Sequence, residues 1–504
     1  MKKRWVFLMM TSFLLAACSN QKTADTADQA KNKQEITVAV DQEMSSMDST
    51  LATDTYSITA LNNTMEGLYR LTSENELLPA GAAALPEVNK EGLEYTIELN
   101  KEAVWSDGSP VTAQDYIYSW QKAVDPKTKA EYGYLFEPIK NAKDILAGKK
   151  DKSELGIKAV NSHKLQIELA TTAPYFESLL AFPTFFPQRE EFVEEEGDQY
   201  AASSDNLLYN GPFELKKFDG AGTDTTWTYQ KNDNYWDKDK VKLEKIDNQV
   251  VKESSTGVNM FETGDVDDVL LTGELAKQYA SNKAFTVIEK AGTTYLSYNY
   301  KKEAFQNEKV RQAISLSLDR ASLVDQILGD GSIEPTGLVP SKMSFSPESK
   351  EDFAKEAGTS LKTDKKAAQE LWTQAKEELD IEKLDIELVT YDTDSIKKLA
   401  EYIQSALEDN LDGVKIDISI VPVTVAIERG QKTDFDLFLF GWTADYPDPS
   451  SFLDLFITDS PYNYGKYSNQ DYDQLIENAK GKDANDLTKR WNDYLQAERL
   501  LMKE

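Results

Sequence analysis

The sequence predicts an α/β protein. Three observations carry that prediction. Short alternating apolar strands interleave with segments whose apolar residues recur every three or four positions. The 504 residues amount to roughly three domains' worth of chain at about 150 residues each. No repeat of solenoid length divides them.

The elements follow in order. Residues 35–40 alternate as an opening strand, and residues 57–71 carry Ile58, Leu61, Met65 and Leu68 on one helical face. Residues 95–99 form a second strand, followed by the turn signal Asp107-Gly108. Thr112 and Asp115 then make a capping box that opens a helix over residues 115–123. Residues 158–160 and 165–169 read as a hairpin with His163 in its turn. No second His exists to join it as a ligand. Strands over residues 213–218 and 225–230 flank Asp219-Gly220-Ala221-Gly222, whose glycines lead into β residues and not into the helix a dinucleotide loop requires. Residues 310–328 carry Val310, Ala313, Ile314, Leu318, Ala321, Val324 and Ile327 at helical spacing, a stripe for the core. Ala367, Leu371 and Ala375 mark a further helix. Residues 384–390, 414–421 and 434–442 read as strands, and residues 487–503 close the chain as a helix.

Composition removes several classes of function. Lys and Arg total 56 against 87 Asp and Glu, a formal charge of −31 that repels a polyphosphate backbone, so nucleic acid is not an expected partner. One Cys and one His exclude a disulfide framework, a multi-Cys zinc site and most His-dependent catalysis. No zinc-protease helix, serine triad or P-loop is present, and Asn469-Gln470-Asp471-Tyr472-Asp473 lacks the Gly and distal Glu of a calcium loop. Neither cofactor nor metal is expected.

Lys2, Lys3 and Arg4 precede an apolar run over residues 5–17, too short for the roughly 20 residues that span a membrane, so it reads as an export signal. Leu15-Ala16-Ala17-Cys18 resembles a lipobox, which makes Cys18 the expected site of lipidation and the membrane anchor. Residues 19–34, almost free of aromatic and β-branched side chains, read as a tether with a reach of roughly 20 Å. The negative body would be repelled by an anionic bilayer, leaving the lipid to hold it there.

The segment from Asp434 to Pro449 stands apart, for a continuous apolar strand runs into Trp442, Thr443, Ala444 and Asp445. Such a strand is buried on both faces, and its carboxyl end is where α/β folds open ligand crevices. Asp445 is thus either the partner of a ligand cation or a cap for the turn Tyr446-Pro447-Asp448-Pro449.

Several stretches then occur in a familiar order: Met65-Glu66-Gly67-Leu68-Tyr69, residues 105–115 from Trp105-Ser106-Asp107-Gly108 to Asp115, Tyr118-Ser119-Trp120, Asn210-Gly211-Pro212-Phe213, Phe261-Glu262-Thr263-Gly264-Asp265-Val266-Asp267, Val310-Arg311-Gln312-Ala313, residues 441–449 and residues 467–475. In this order, behind a lipobox, the chain resembles oligopeptide-binding lipoproteins of the peptide and nickel family of ABC-importer solute-binding proteins. The resemblance implies a two-lobed fold of the periplasmic-binding-protein type with an extra α/β domain and a ligand cleft between lobes. It places lobe I at residues 35–71 and 196–290, the extra domain at 72–195 and lobe II at 291–504. Relatives continue into strands that close lobe I, so those strands are expected to be absent here and an edge left unpaired.

By the same resemblance an extended peptide pairs its backbone with the protein, so many sequences are accepted. Asp445 would take the α-ammonium, Trp442, Thr443 and Ala444 would supply strand backbone, and Trp442 would wall a side-chain pocket. Thr53 and Thr55 would contribute from lobe I, and Tyr118 would line the far side. Tyr118, Tyr295 and Tyr298 stand equally between ordinary core or rim aromatics and binding roles. An Arg that clamps a short peptide's carboxylate in some relatives has no counterpart in residues 434–440. The implied protein is not an enzyme but a monomeric, lipid-anchored receptor on the extracytoplasmic face of the cell membrane, handing oligopeptides to permease subunits. Alternatives are a binder of dipeptides, peptide pheromones or nickel complexes, an adhesin with a disused cleft, or an exported hydrolase working with carboxylates alone.

Overall fold

The computed structural model describes residues 34–73, 76–359 and 361–504, so Cys18 and all but the last residue of the tether lie outside the described residues. Three four-stranded sheets organise the rest. In the first, Glu35–Val40 pairs in parallel with Lys245–Val250, which continues antiparallel through Thr226–Lys231 to Phe213–Lys216. In the second, the order is Gly292–Tyr298, Leu437–Thr443, Leu384–Tyr391, Val414–Val421. The third, Glu87–Val88, Glu94–Glu98, Lys164–Glu168 and Ile157–Asn161, is antiparallel throughout.

Two apolar cores hold these layers. Ile97, Leu165 and Ile167 of the third sheet share one with Tyr116 and Trp120 of helix Ala113–Val124, and that core runs on to Leu61 and Leu215 beside the first sheet. The other fills the back of the second sheet, where Ile386, Leu388, Leu437 and Leu439 meet Val310, Trp372 and Ile403 from three helices. Helix Ala113–Val124 opens on the expected capping box, with Asp115 Oδ2 accepting from Thr112 N–H at 2.8 Å and from Trp105 Nε1 at 3.3 Å. His163 sits in its hairpin turn, its Nδ1 2.9 Å from Ser162 Oγ.

Two expected helices are shorter than their apolar patterns. The helix expected over residues 57–71 runs only Thr55–Thr64. Its stop lies far away in sequence: Asn210 accepts from Glu66 N–H at 3.0 Å and donates to Glu66 C=O at 2.8 Å, holding the chain extended. The two stretches quoted above around Met65 and Asn210 thus clasp each other. The helix expected over residues 310–328 breaks after Ser317, where Asp319 caps a new turn at Ser322 N–H (3.0 Å), followed by the π-helical turn Leu323–Leu328.

Candidate functional site

Strand Leu437–Thr443 enters the cleft with Leu437, Phe438, Leu439 and Trp442 buried, as its apolar run requires. Along one side it pairs antiparallel with Gly292–Tyr298 from Tyr298↔Leu437 to Gly292↔Thr443. On the other it meets Leu384–Tyr391 only at Leu437 and Phe438. From Phe440 to Thr443, that second edge faces no strand among the described residues.

Antiparallel ladders alternate, so the bonds Asn299 N–H to Asp436 C=O (3.1 Å) and Ala444 N–H to Ala291 C=O (2.8 Å) fix which residues face the neighbour. Trp442 and Ala444 turn their backbone groups inward to it, whereas Gly441 and Thr443 present theirs to the open edge. Of the three residues expected to offer backbone, only Thr443 is so placed. The reason is the period of two, which the sequence cannot phase without knowing the partner strand.

Asp445 lies two residues past that strand. Its Oδ1 accepts from Tyr132 hydroxyl at 3.0 Å, while Oδ2 is buried and meets no donor among the described residues. Burial pushes its carboxyl up to about 8, partly opposed by the Tyr132 hydrogen bond. It does not cap the following turn. That task falls to Asp448, which accepts from Ser450 N–H at 3.0 Å and forms a buried two-pronged ion pair with Arg490.

Aromatic rings wall the space around Asp445. Trp442 packs edge-on to Tyr462 at 4.7 Å, and Tyr132 lies 6.1 Å from Trp442 and 5.1 Å from Phe182. The whole cleft has a volume of about 1880 Å³. Thr53 and Thr55 line it beside Asp54, which caps helix Thr55–Thr64 through Ser57 N–H at 2.8 Å. Tyr295 and Tyr298 line it too, the latter donating to Arg311 C=O at 3.2 Å.

Tyr118 is a correction, since it lies away from the cleft wall, toward the carboxylates Glu194, Glu190 and Asp48. Two positions along a helix is over half a turn, so Tyr116 and Trp120, pointing into the core, leave Tyr118 on another flank. From this part of the chain the cleft is lined instead by Tyr132, which the sequence analysis missed. It belongs to the 3-10 helix Glu131–Phe136, whose closely spaced aromatics have no period to separate cleft from core.

Contacts between segments distant in sequence join the parts of the chain. Tyr175 stacks on Tyr446 at 4.8 Å, Thr172 Oγ1 donates to Asn485 Oδ1 at 2.6 Å, and Lys252 Nζ meets Asp392 at 2.8 Å and Glu43 at 3.1 Å. No helix among the described residues is long and apolar enough to cross a membrane.

The dipeptide-binding protein of Lactococcus lactis subsp. cremoris is 36% identical over 94% of this chain and 86% of its own length. The structure of Listeria monocytogenes OppA bound to peptide superimposes with a TM-score of 0.88 at 43% identity, covering 93% of this chain and 91% of that one. The Escherichia coli murein tripeptide-binding protein MppA is informative about conformation. One of its structures, at 27% identity, matches with a TM-score of 0.83 over 94% of this chain and 91% of its own. Its unliganded open form reaches 0.61 over 94% and 90%. The lobes here are therefore disposed as in the former and not as in the open form. Residues 76–464 match the family described as bacterial extracellular solute-binding proteins, family 5 Middle. The chain belongs to this family of extracellular solute-binding proteins.

Proposed function

We propose that this protein is a receptor for extended oligopeptides, held between the lobes and delivered to an ABC importer. One observation carries the reading: an open strand edge at Gly441 and Thr443 stands beside a buried carboxylate, Asp445, with one oxygen unpaired. A guest peptide supplies what each lacks. Its amides and carbonyls complete the edge as an added strand, and its α-ammonium takes Asp445 Oδ2 in a charge-assisted bond worth roughly 1.5–3 kcal/mol. A cleft near 1880 Å³ exceeds the ordinary small-molecule range of about 300–1,000 Å³, which favours several residues over two.

The peptide acts as the closing force, because only a ligand that binds the closed form better than the open one shifts their balance. Residues 35–71 and 196–290 serve as one lobe, residues 72–195 as its extra domain and residues 291–504 as the other lobe. Thr53 and Thr55 bring the first lobe to the guest strand. Diacylation at Cys18 tethers the monomer to the extracytoplasmic face of the membrane, beside the permease subunits that receive the peptide.

Mass spectrometry of small molecules released by denaturing the purified protein tests the reading. Peptides of mixed sequence with free amino termini are expected. A non-peptide ligand, or hydrolysis of an added peptide library, contradicts it.

A further inference from the structure

Asp445 Oδ2 is not the sole unpaired polar atom beside the cleft. Trp442 Nε1 and Tyr462 hydroxyl on the cleft wall, and Tyr134 hydroxyl and Glu131 Oε2 behind Tyr462 and outside the lining itself, are also buried without a hydrogen-bond partner among the described residues. They form one neighbourhood: Trp442 and Tyr462 lie 4.7 Å apart, Tyr132 and Tyr462 5.6 Å, Tyr134 and Tyr462 6.0 Å. Tyr462 and Trp442 are 6% and 8% exposed and both line the cleft. Buried polar atoms are nearly always paired in folded proteins, so a group of five unpaired ones, three on the cleft wall and two directly behind it, asks for polar atoms from outside the chain.

Two of the five are carboxylate oxygens. Glu131 spends Oε1 on the Gln431 side-chain amide, and no Lys or Arg among the described residues pairs with it. Burial raises its carboxyl, which only the Gln431 amide opposes. The peptide's single α-ammonium answers Asp445 and leaves Glu131 unanswered.

We infer that Glu131 is a specificity-determining residue for the pocket that receives the first side chain, and that this pocket takes a basic one, Lys or Arg. The inference rests on the peptide reading above, with the amino terminus at Asp445. Trp442 and Tyr462 flank the aliphatic stem of such a side chain, Tyr462 and Tyr134 hydroxyls accept from its head, and Glu131 Oε2 neutralises it.

The test is calorimetry with three peptides identical except for a first residue of Lys, norleucine or Ala, on the wild type and on Glu131→Gln. The amide keeps an oxygen for Gln431 and removes the charge. On the wild type, the Lys peptide is expected to bind at least tenfold tighter than the norleucine peptide. Glu131→Gln is expected to abolish that ratio and to leave the Ala peptide within about twofold of wild type, which also shows that the variant is folded. A wild-type ratio near one, or a ratio that survives Glu131→Gln, overturns the assignment while Ala-peptide binding leaves the peptide reading standing. Failure of all three peptides to bind the wild type overturns both.

Discussion

Tyr132 hydroxyl donates to Asp445 Oδ1 at 3.0 Å, so an aromatic of the 3-10 helix Glu131–Phe136 holds one oxygen of a carboxylate that lies 313 positions on, just past strand Leu437–Thr443. The second oxygen has no donor. Closing the empty protein therefore buries a carboxylate with part of its hydrogen-bonding demand unmet, at a cost of about 1–3 kcal/mol or more for a charged group. An arriving ammonium removes that cost, and so does a proton.

The proton makes the first prediction. Burial pushes the Asp445 carboxyl up to about 8 in the closed form, whereas in an open, solvated cleft it titrates near the ordinary value of about 3.9. Between those values closure takes up a proton, so lowering the pH through that window favours the closed empty form. Small-angle scattering of peptide-free protein is expected to show a smaller radius of gyration at about pH 6 than at about pH 8.5. Asp445→Asn, which has no charge to bury, is expected to be compact at both. A variant as open as the wild type contradicts this.

Asp448 and Arg490 form a buried pair with both contacts at 2.8 Å, and Tyr494 hydroxyl lies 3.1 Å from the guanidinium. This fastens helix Leu487–Lys503 to the turn that follows Asp445. Arg490→Met is expected to cost about 3–5 kcal/mol in denaturant unfolding, because it leaves Asp448 buried and unpaired. Adding Asp448→Asn should restore part of that loss. Burial raises the Asp448 carboxyl, but Arg490 and Ser450 outweigh it and hold it below the usual range. The pair's contribution is thus complete above that range and is lost as the pH falls below it.

The clasp between Asn210 and Glu66 is a third target. Asn210→Ala strands the buried N–H and C=O of Glu66, a loss of about 2–4 kcal/mol for the two groups. Gly211→Ala places a Cβ 2.6 Å from Met65 N and is expected to cost about 1–3 kcal/mol by overpacking. Thermal unfolding of each variant checks both figures, and unchanged midpoints contradict the proposed stop for helix Thr55–Thr64.

Glu498 makes a prediction of opposite sign to Asp448. It is fully buried, its Oε1 accepts from Leu338 N–H at 2.6 Å and Val339 N–H at 3.3 Å, and its Oε2 is unpaired. Burial pushes its carboxyl up to about 7, against those two amides. A raised acid weakens the fold as the pH climbs from the unfolded value of 4.5 to about 7, after which the penalty is constant. Glu498→Gln keeps the acceptor and removes the charge. It is expected to gain about 2 kcal/mol over wild type at pH 8, an advantage that fades toward pH 5. A pH-independent difference contradicts the assignment.

How far the fold could be read in advance depended on how local each cause was. The capping box of Thr112 and Asp115, strands Glu35–Val40 and Val414–Val421 and helix Leu487–Lys503 rest on neighbouring residues, and they appear where periodicity placed them. The stop after Thr64 is imposed by Asn210 from 144 positions away, which no local pattern carries. The site divides likewise. Asp445 was legible because a buried strand must end somewhere and a carboxylate stands at that end. The turning of Gly441 and Thr443, not Trp442 and Ala444, to the open edge depends on register with Gly292–Tyr298. Tyr132, with no helical or alternating period around it, was indistinguishable from core.

The most direct measurement compares one peptide with its N-acetylated form, binding each to the wild type by calorimetry. Capture of a charged amino end by Asp445 predicts that acetylation weakens binding by at least about tenfold, the equivalent of 1.4 kcal/mol, and that Asp445→Ala erases the difference. Equal affinities of the two forms for the wild type would contradict the account.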